Sequence, residues 1–184
     1  MKIAVIYGSA RPGRSGETVA NWVVRELSKR SDIEIDLVDA AALDLPYYNE
    51  PNSPMATPKG GYNNQKGNDW AARVGEADGF IFVAAEYNHG YTALLKNAID
   101  WVHSEWFYKP AAFVSYGAVS GGIRAAEQLT QVVAELRMFP LRTVSFPAIW
   151  AAFDADGEPV DASKAEALSS LTDELLSVSA KLNP

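Results

Sequence analysis

An apolar run, Ile3-Ala4-Val5-Ile6-Tyr7, breaks into Gly8-Ser9-Ala10-Arg11-Pro12-Gly13-Arg14-Ser15-Gly16-Glu17-Thr18 and then resumes with helical spacing at Val19, Val23 and Leu27. The run has the length and composition of a strand buried on both faces. Such a strand needs helices above and below it, which points to a parallel sheet joined by crossover helices. The turn carries its own chemistry. Free amides and the positive end of a helix dipole converge where it ends, the arrangement that binds anions. Arg11 and Arg14 beside it suit a phosphate, since a guanidinium donates two parallel hydrogen bonds. The dinucleotide fingerprint G-x-G-x-x-G is not matched by Gly8, Gly13 and Gly16. Gly8-x-x-x-x-Gly13-Arg14-Ser15 approaches a P-loop but has arginine for lysine. Later strands end in Ala84-Ala85-Glu86 and Ser115-Tyr116-Gly117, without the aspartate that would hold magnesium.

The rest of the chain repeats the strand–helix alternation. Helices are predicted at 15–29, 68–77, 92–101, 123–136 and 161–181, and strands at 33–38, 79–85, 111–116 and 141–146. From Leu45 to Asn68 the pattern fails, because prolines, glycines and asparagines exclude a regular element over most of it; a loop this long is functional or disordered. Tyr47, Tyr48, Met55 and Tyr62 within it suggest packing against something, and the stretch is expected to wall an open substrate site. With 184 residues and no internal repeat, a single domain over 1–184 is expected.

Composition narrows the chemistry. The net charge of −7 argues against nucleic acid as partner. There is no cysteine, and His89 and His103 are the only histidines, so thiol catalysis and a histidine-rich metal site are not expected. No stretch has the length of a membrane span, and the expectation is a cytoplasmic protein with no membrane partner.

Residues 8–16, 86–90 and 117–122 each follow the carboxyl end of a strand, so in a parallel sheet they share one edge. The first has phosphate chemistry; the others offer backbone amides and small residues that admit a flat ring. Together they suggest a phosphorylated planar ligand such as flavin mononucleotide.

Gly8-Ser9-x-Arg11 followed by Ser15, then Glu86-Tyr87-Asn88 and Leu95-Lys96-Asn97-Ala98-Ile99-Asp100-Trp101, resemble the phosphate loop and flavin-ring segment of the NADPH-dependent FMN reductase family, which includes quinone, azo-dye and chromate reductases. The similarity runs from residue 2 to about 146. Ala85 stands where the family usually has proline, and Thr92 where a second proline is common. The resemblance implies an α/β, flavodoxin-like, doubly wound five-stranded parallel sheet of order 2-1-3-4-5 with helices on both faces, and non-covalent FMN. By carry-over, Ser9, Arg11, Ser15, Gly16 and Glu17 hold the phosphate, with Arg14 joining them or steering substrate. Glu86, Tyr87, Asn88 and Gly90 line the isoalloxazine, as do Ser115, Gly117 and Val119. Hydride would pass from NADPH or NADH through FMN to a small acceptor (quinone, azo dye, free flavin or metal oxyanion) in ping-pong order. The family commonly forms homodimers or homotetramers.

Several residues keep two readings. Glu86 is either a catalytic acid or a cap for a turn, and no side chain is assigned as catalytic. Arg124 is either a nicotinamide-phosphate ligand or a surface arginine. Trp101, Trp106, Phe107 and Tyr108 are either core or subunit interface, as are Trp150 and Phe153. Two other functions fit part of the pattern: a flavin-binding electron carrier without nicotinamide turnover, and a P-loop-like nucleotide-phosphate enzyme.

Overall fold

Successive side chains of a strand point to opposite faces, and in the computed structural model, which describes residues 1–182, both faces of the first strand are buried. Strands β1 (Lys2–Tyr7), β2 (Glu34–Asp39), β3 (Gly79–Ala85), β4 (Pro110–Tyr116) and β5 (Phe139–Phe146) form one parallel sheet in the order β2-β1-β3-β4-β5. Ile3, Val5, Ile81, Val83 and Val114 pack under α1 (Ser15–Leu27) and α5 (Ser163–Leu182). Ala4, Ile6, Phe80, Phe82 and Phe113 pack under α2 (Gln65–Glu76), α3 (Ala93–Asp100) and α4 (Ile123–Glu135). Both β3 and β4 are buried at every position, as their unbroken apolar sequences require. The strand order reverses beside β1, so the loops after β1, β3 and β4 open together at the carboxyl edge.

The element boundaries fall within a few residues of expectation, with one informative exception. Helix α2 begins at Gln65, not Asn68, capped by the Asn64 side chain accepting from Lys66 N at 2.9 Å. Gly67, which reads as a loop residue, lies in its first turn because the Trp101 ring covers it; a Cβ there would fall 2.7 Å from that ring. The 45–68 stretch is largely pinned down. Trp101 donates its indole N–H to Pro46 O at 2.6 Å, and Tyr48 and Tyr62 pack edge-on against its ring. Tyr47 and Met55 remain exposed. Trp101 and Trp106 are core residues with no exposed surface, which settles their two readings. Among the described residues no helix is long and apolar enough to cross a membrane.

Candidate active site

At the end of β1 the chain leaves the sheet through Gly8 and Ser9 and enters α1 at Ser15. Among the described residues, the amides of Ser9, Ala10, Arg11, Gly13, Arg14, Ser15 and Gly16 donate to no acceptor. A row of free amides at the start of a 13-residue helix is a preformed anion site. Ser9 Oγ is buried without a partner beneath Gly16, whose missing Cβ leaves room for this hydroxyl and that of Tyr116. Burial pushes the Tyr116 phenol up to about 12, so it stays protonated at neutral pH.

The charges sort themselves. Arg14 pairs with Asp39 at the end of β2, donates to the Ser9 carbonyl and lies 4.9 Å from the Tyr7 ring centroid. Arg124 pairs with Glu86. Arg11, exposed at the turn, has no carboxylate partner among the described residues. Of the three arginines around this edge, it alone has its charge unmatched.

Glu86 resolves toward capping, though of a different element from its own turn. Its side chain is 6% exposed and accepts from Ser120 Oγ at 2.8 Å, from Arg124 N at 3.2 Å and from Arg124 Nε at 2.8 Å. It thus caps the start of α4 and ties the β3 and β4 loops together. Burial favours its neutral form, but the Arg124 and Ser120 donors outweigh burial and hold it below the usual carboxylate range. A carboxylate held ionised by Ser120 and by the main chain and guanidinium of Arg124 is a poor general acid, and this also commits Arg124. The next residues form a tight turn, with Tyr87 N and Gly90 N exchanging hydrogen bonds with Gly90 O and Tyr87 O at 2.8 and 3.0 Å. Asn88 and His89 sit at φ 50° and 70°, as the mirror-image hairpin turn demands. Gln128 Nε2 steadies the turn by donating to His89 O at 3.0 Å.

These parts enclose a cleft of ≈ 300 Å³. Arg11, Arg14 and Ser15 line one end; Ala85, Glu86, Tyr116, Gly117 and Ala118 line its base; Tyr87, Ile149 and the exposed Trp150 form a rim. The remaining expected residues stand elsewhere. Ser9 and Gly16 are buried at the two ends of the loop, Glu17 is exposed on α1, and Asn88 and Gly90 belong to the turn beyond Tyr87. Ser115 is fully buried and donates to Gly121 O at 2.8 Å, so it shapes the third loop from behind. Val119 is 92% exposed at that loop's tip.

Tyr116, Ala118, Ile149 and Trp150 were not anticipated as site residues. Trp150 is 74% exposed, whereas Trp22, Trp70, Trp101 and Trp106 are at most 2% exposed. The signal lay in its position, four residues after the carboxyl end of β5, on the same edge as the other loops. Its turn is fastened to the third loop by Ala148 N to Ala118 O (2.7 Å) and Ile149 N to Gly117 O (3.1 Å). Residues 45–68 do not wall this cleft. They border a separate, mainly apolar groove of ≈ 580 Å³, where Tyr48, Pro54 and Met55 face Ile99, Val102 and Leu136.

The cleft fits FMN in kind: an amide row and a free guanidinium for the phosphate, then main chain and small residues for a ring. The family model described as NADPH-dependent FMN reductase matches residues 1–151. An NAD(P)H-dependent FMN reductase of Nectria is 36% identical over 149 residues, covering 78% of this chain and 74% of that protein. An NAD(P)H:quinone oxidoreductase of Solanum tuberosum is 34% identical over 140 residues, covering 72% and 66%. Among solved structures, a flavoenzyme NAD(P)H:(acceptor) oxidoreductase of Paracoccus denitrificans superposes with a TM-score of 0.72 at 23% identity, over 98% of this chain and 97% of that one, which shows the shared fold. The chain therefore belongs to the NADPH-dependent FMN reductase family and is an FMN-dependent NAD(P)H oxidoreductase.

Proposed function

We propose that this protein, a single domain over 1–184, binds FMN with its phosphate at the start of α1 and reduces a small planar acceptor of the quinone type in ping-pong order. One observation carries the reading: the only arginine of the cleft without a carboxylate partner, among the described residues, sits beside the row of free amides that opens the 13-residue helix α1. Ser9, Arg11, Ser15 and Gly16 would hold the phosphate, mostly through main chain, with Glu17 in the same helical turn. Tyr87, with the turn through Asn88 and Gly90, and Gly117 would border the ring, while Ser115 and Val119 belong to the loop that presents Gly117.

FMN, when bound, supplies the two-electron hydride chemistry. The chain's own contribution is to position and to shield. Glu86 is ionised and committed, and Tyr116 is a phenol that keeps its proton, so the floor holds no poised base or nucleophile. The Gly117–Ala118 main chain would give the ring a polar border, while the Tyr116 hydroxyl lies beneath Gly16 at the phosphate end. Trp150 and Tyr87, both exposed at the mouth, offer faces for a flat acceptor. A cytoplasmic, homo-oligomeric enzyme is the setting we infer.

Three results test this. Mixed anaerobically with NADPH, the yellow protein bleaches, and added benzoquinone restores the colour; absence of bleaching would leave an electron carrier instead. Initial rates at several quinone concentrations give parallel double-reciprocal lines, and intersecting lines would exclude ping-pong order. Arg11→Ala is expected to weaken FMN binding by about tenfold, the worth of one charge-assisted hydrogen bond to phosphate, read by flavin fluorescence titration.

A further inference from the structure

Between Gly8 and Gly13 the phosphate loop closes no main-chain hydrogen bond on itself among the described residues, and Arg14, at the N-cap of α1, offers no side-chain cap. Its shape is set from outside. Thr92, which caps α3 by accepting from Leu95 N, donates its hydroxyl to Gly8 O at 2.6 Å. Arg14 donates Nη1 to Ser9 O. Arg14 is held in turn by Asp39, through Nη1 to Oδ1 at 3.1 Å and through Nη2 to Oδ2. Asp39 is itself fixed, since its Oδ1 accepts from Ala41 N at 2.9 Å.

Every peptide bond here is trans. In a trans peptide the carbonyl and the following N–H lie in one plane and point opposite ways. Turning the Gly8 carbonyl to Thr92 therefore turns the Ser9 amide away from Thr92. Turning the Ser9 carbonyl to Arg14 turns the Ala10 amide away from Arg14. Two successive planes are clamped, and the two amides they carry are among those without an acceptor. Thr92 stands where a proline, which has no hydroxyl, would make no such bond.

We propose that Thr92 and Asp39, the latter acting through Arg14, are positioning residues that pre-aim the Ser9 and Ala10 amides at the FMN phosphate. The assignment rests on the FMN reading above. It makes Arg14 a brace, its charge matched by Asp39, and leaves the phosphate to Arg11 and the amides. Clamping the loop beforehand removes an ordering cost that binding would otherwise carry.

The test titrates apoprotein with FMN and with riboflavin, which lacks the phosphate, following flavin fluorescence. Asp39→Ala is expected to weaken FMN by about tenfold while riboflavin changes by less than about twofold. Thr92→Val should do the same, and Thr92→Ser, which keeps the hydroxyl, should bind like the native protein. Tighter FMN binding by Asp39→Ala would overturn the proposal, because it would mean that freed Arg14 grips the phosphate directly. Equal losses for FMN and riboflavin, or a Thr92→Ser that behaves like Thr92→Val, would overturn it too. If Asp39→Ala does not fold, Asp39→Asn serves, and an unchanged FMN-to-riboflavin affinity ratio in that variant would be fatal. A native protein that binds neither flavin, or both equally, would instead refute the FMN reading itself.

Discussion

Gly16→Ala will lose FMN affinity by at least about 100-fold, the consequence of roughly 3 kcal/mol of overpacking at the start of α1. A methyl group on Gly16 would collide with the Ser9 and Tyr116 hydroxyls. Neither yields cheaply. Ser9 is 1% exposed at the turn out of β1, and the Tyr116 ring is 6% exposed at the end of β4. Relief comes from lifting the first turn of α1 off the sheet, which carries the amides of Ser15 and Gly16 away from the phosphate. The helix itself tolerates alanine better than glycine, so far-ultraviolet circular dichroism should keep its helical signal while flavin titration shows the loss. Retention of native FMN affinity would mean that the Ser9–Gly16–Tyr116 contact does not set the loop's height.

Gly122→Ala will be the more damaging change to stability, by about 3 kcal/mol or more, lowering Tm by roughly 6–12 °C for a chain of this size. Gly122 is the N-cap of α4 at φ 83°, where an L side chain is strained. Its Cβ would meet Tyr116 N at 2.6 Å and Tyr116 O at 2.8 Å, which are main-chain atoms of a central strand and have nowhere to go. Loop 117–122 would have to part from β4, and the Glu86 cap on α4 would part with it. Gly75→Ala is the matched control: it is helical, has nothing within 4 Å of its Cβ position, and should leave Tm unchanged or slightly raised. Thermal unfolding of the two variants side by side separates a specific clash from a general intolerance of substitution.

The sheet was readable in the sequence because its evidence is local. Gly79–Ala85 and the run from Ala111 to Tyr116 are apolar at nearly every position, and a strand buried on both faces leaves that mark whatever surrounds it. The three loops were readable for the same reason, each following a strand end. What a side chain in those loops does was less readable, because its partner lies far off in the chain. Arg14 reads as a phosphate ligand until Asp39, 25 residues on, takes its charge. Glu86 reads as a possible acid until Arg124, 38 residues on, locks it. The hydroxyl of Ser115 follows a strand toward the ligand edge yet turns inward to Gly121 O. Trp150 looked like core or interface because an aromatic residue after a strand usually is; only the short turn pinned to Gly117 and Ala118 brings it to the mouth of the cleft. The 45–68 stretch was rightly read as irregular, and its direction was set by the Trp101 indole, which no local pattern reveals.

The most direct measurement is a crystal structure of the protein grown with excess FMN. The account places the phosphorus within hydrogen-bonding reach of the Ser9–Gly16 amides and of Arg11, with the ring between Tyr87 and the Gly117–Ala118 main chain and Arg14 still paired with Asp39. FMN seated instead in the groove between Tyr48, Ile99 and Leu136, or with its phosphate away from the start of α1, would contradict it.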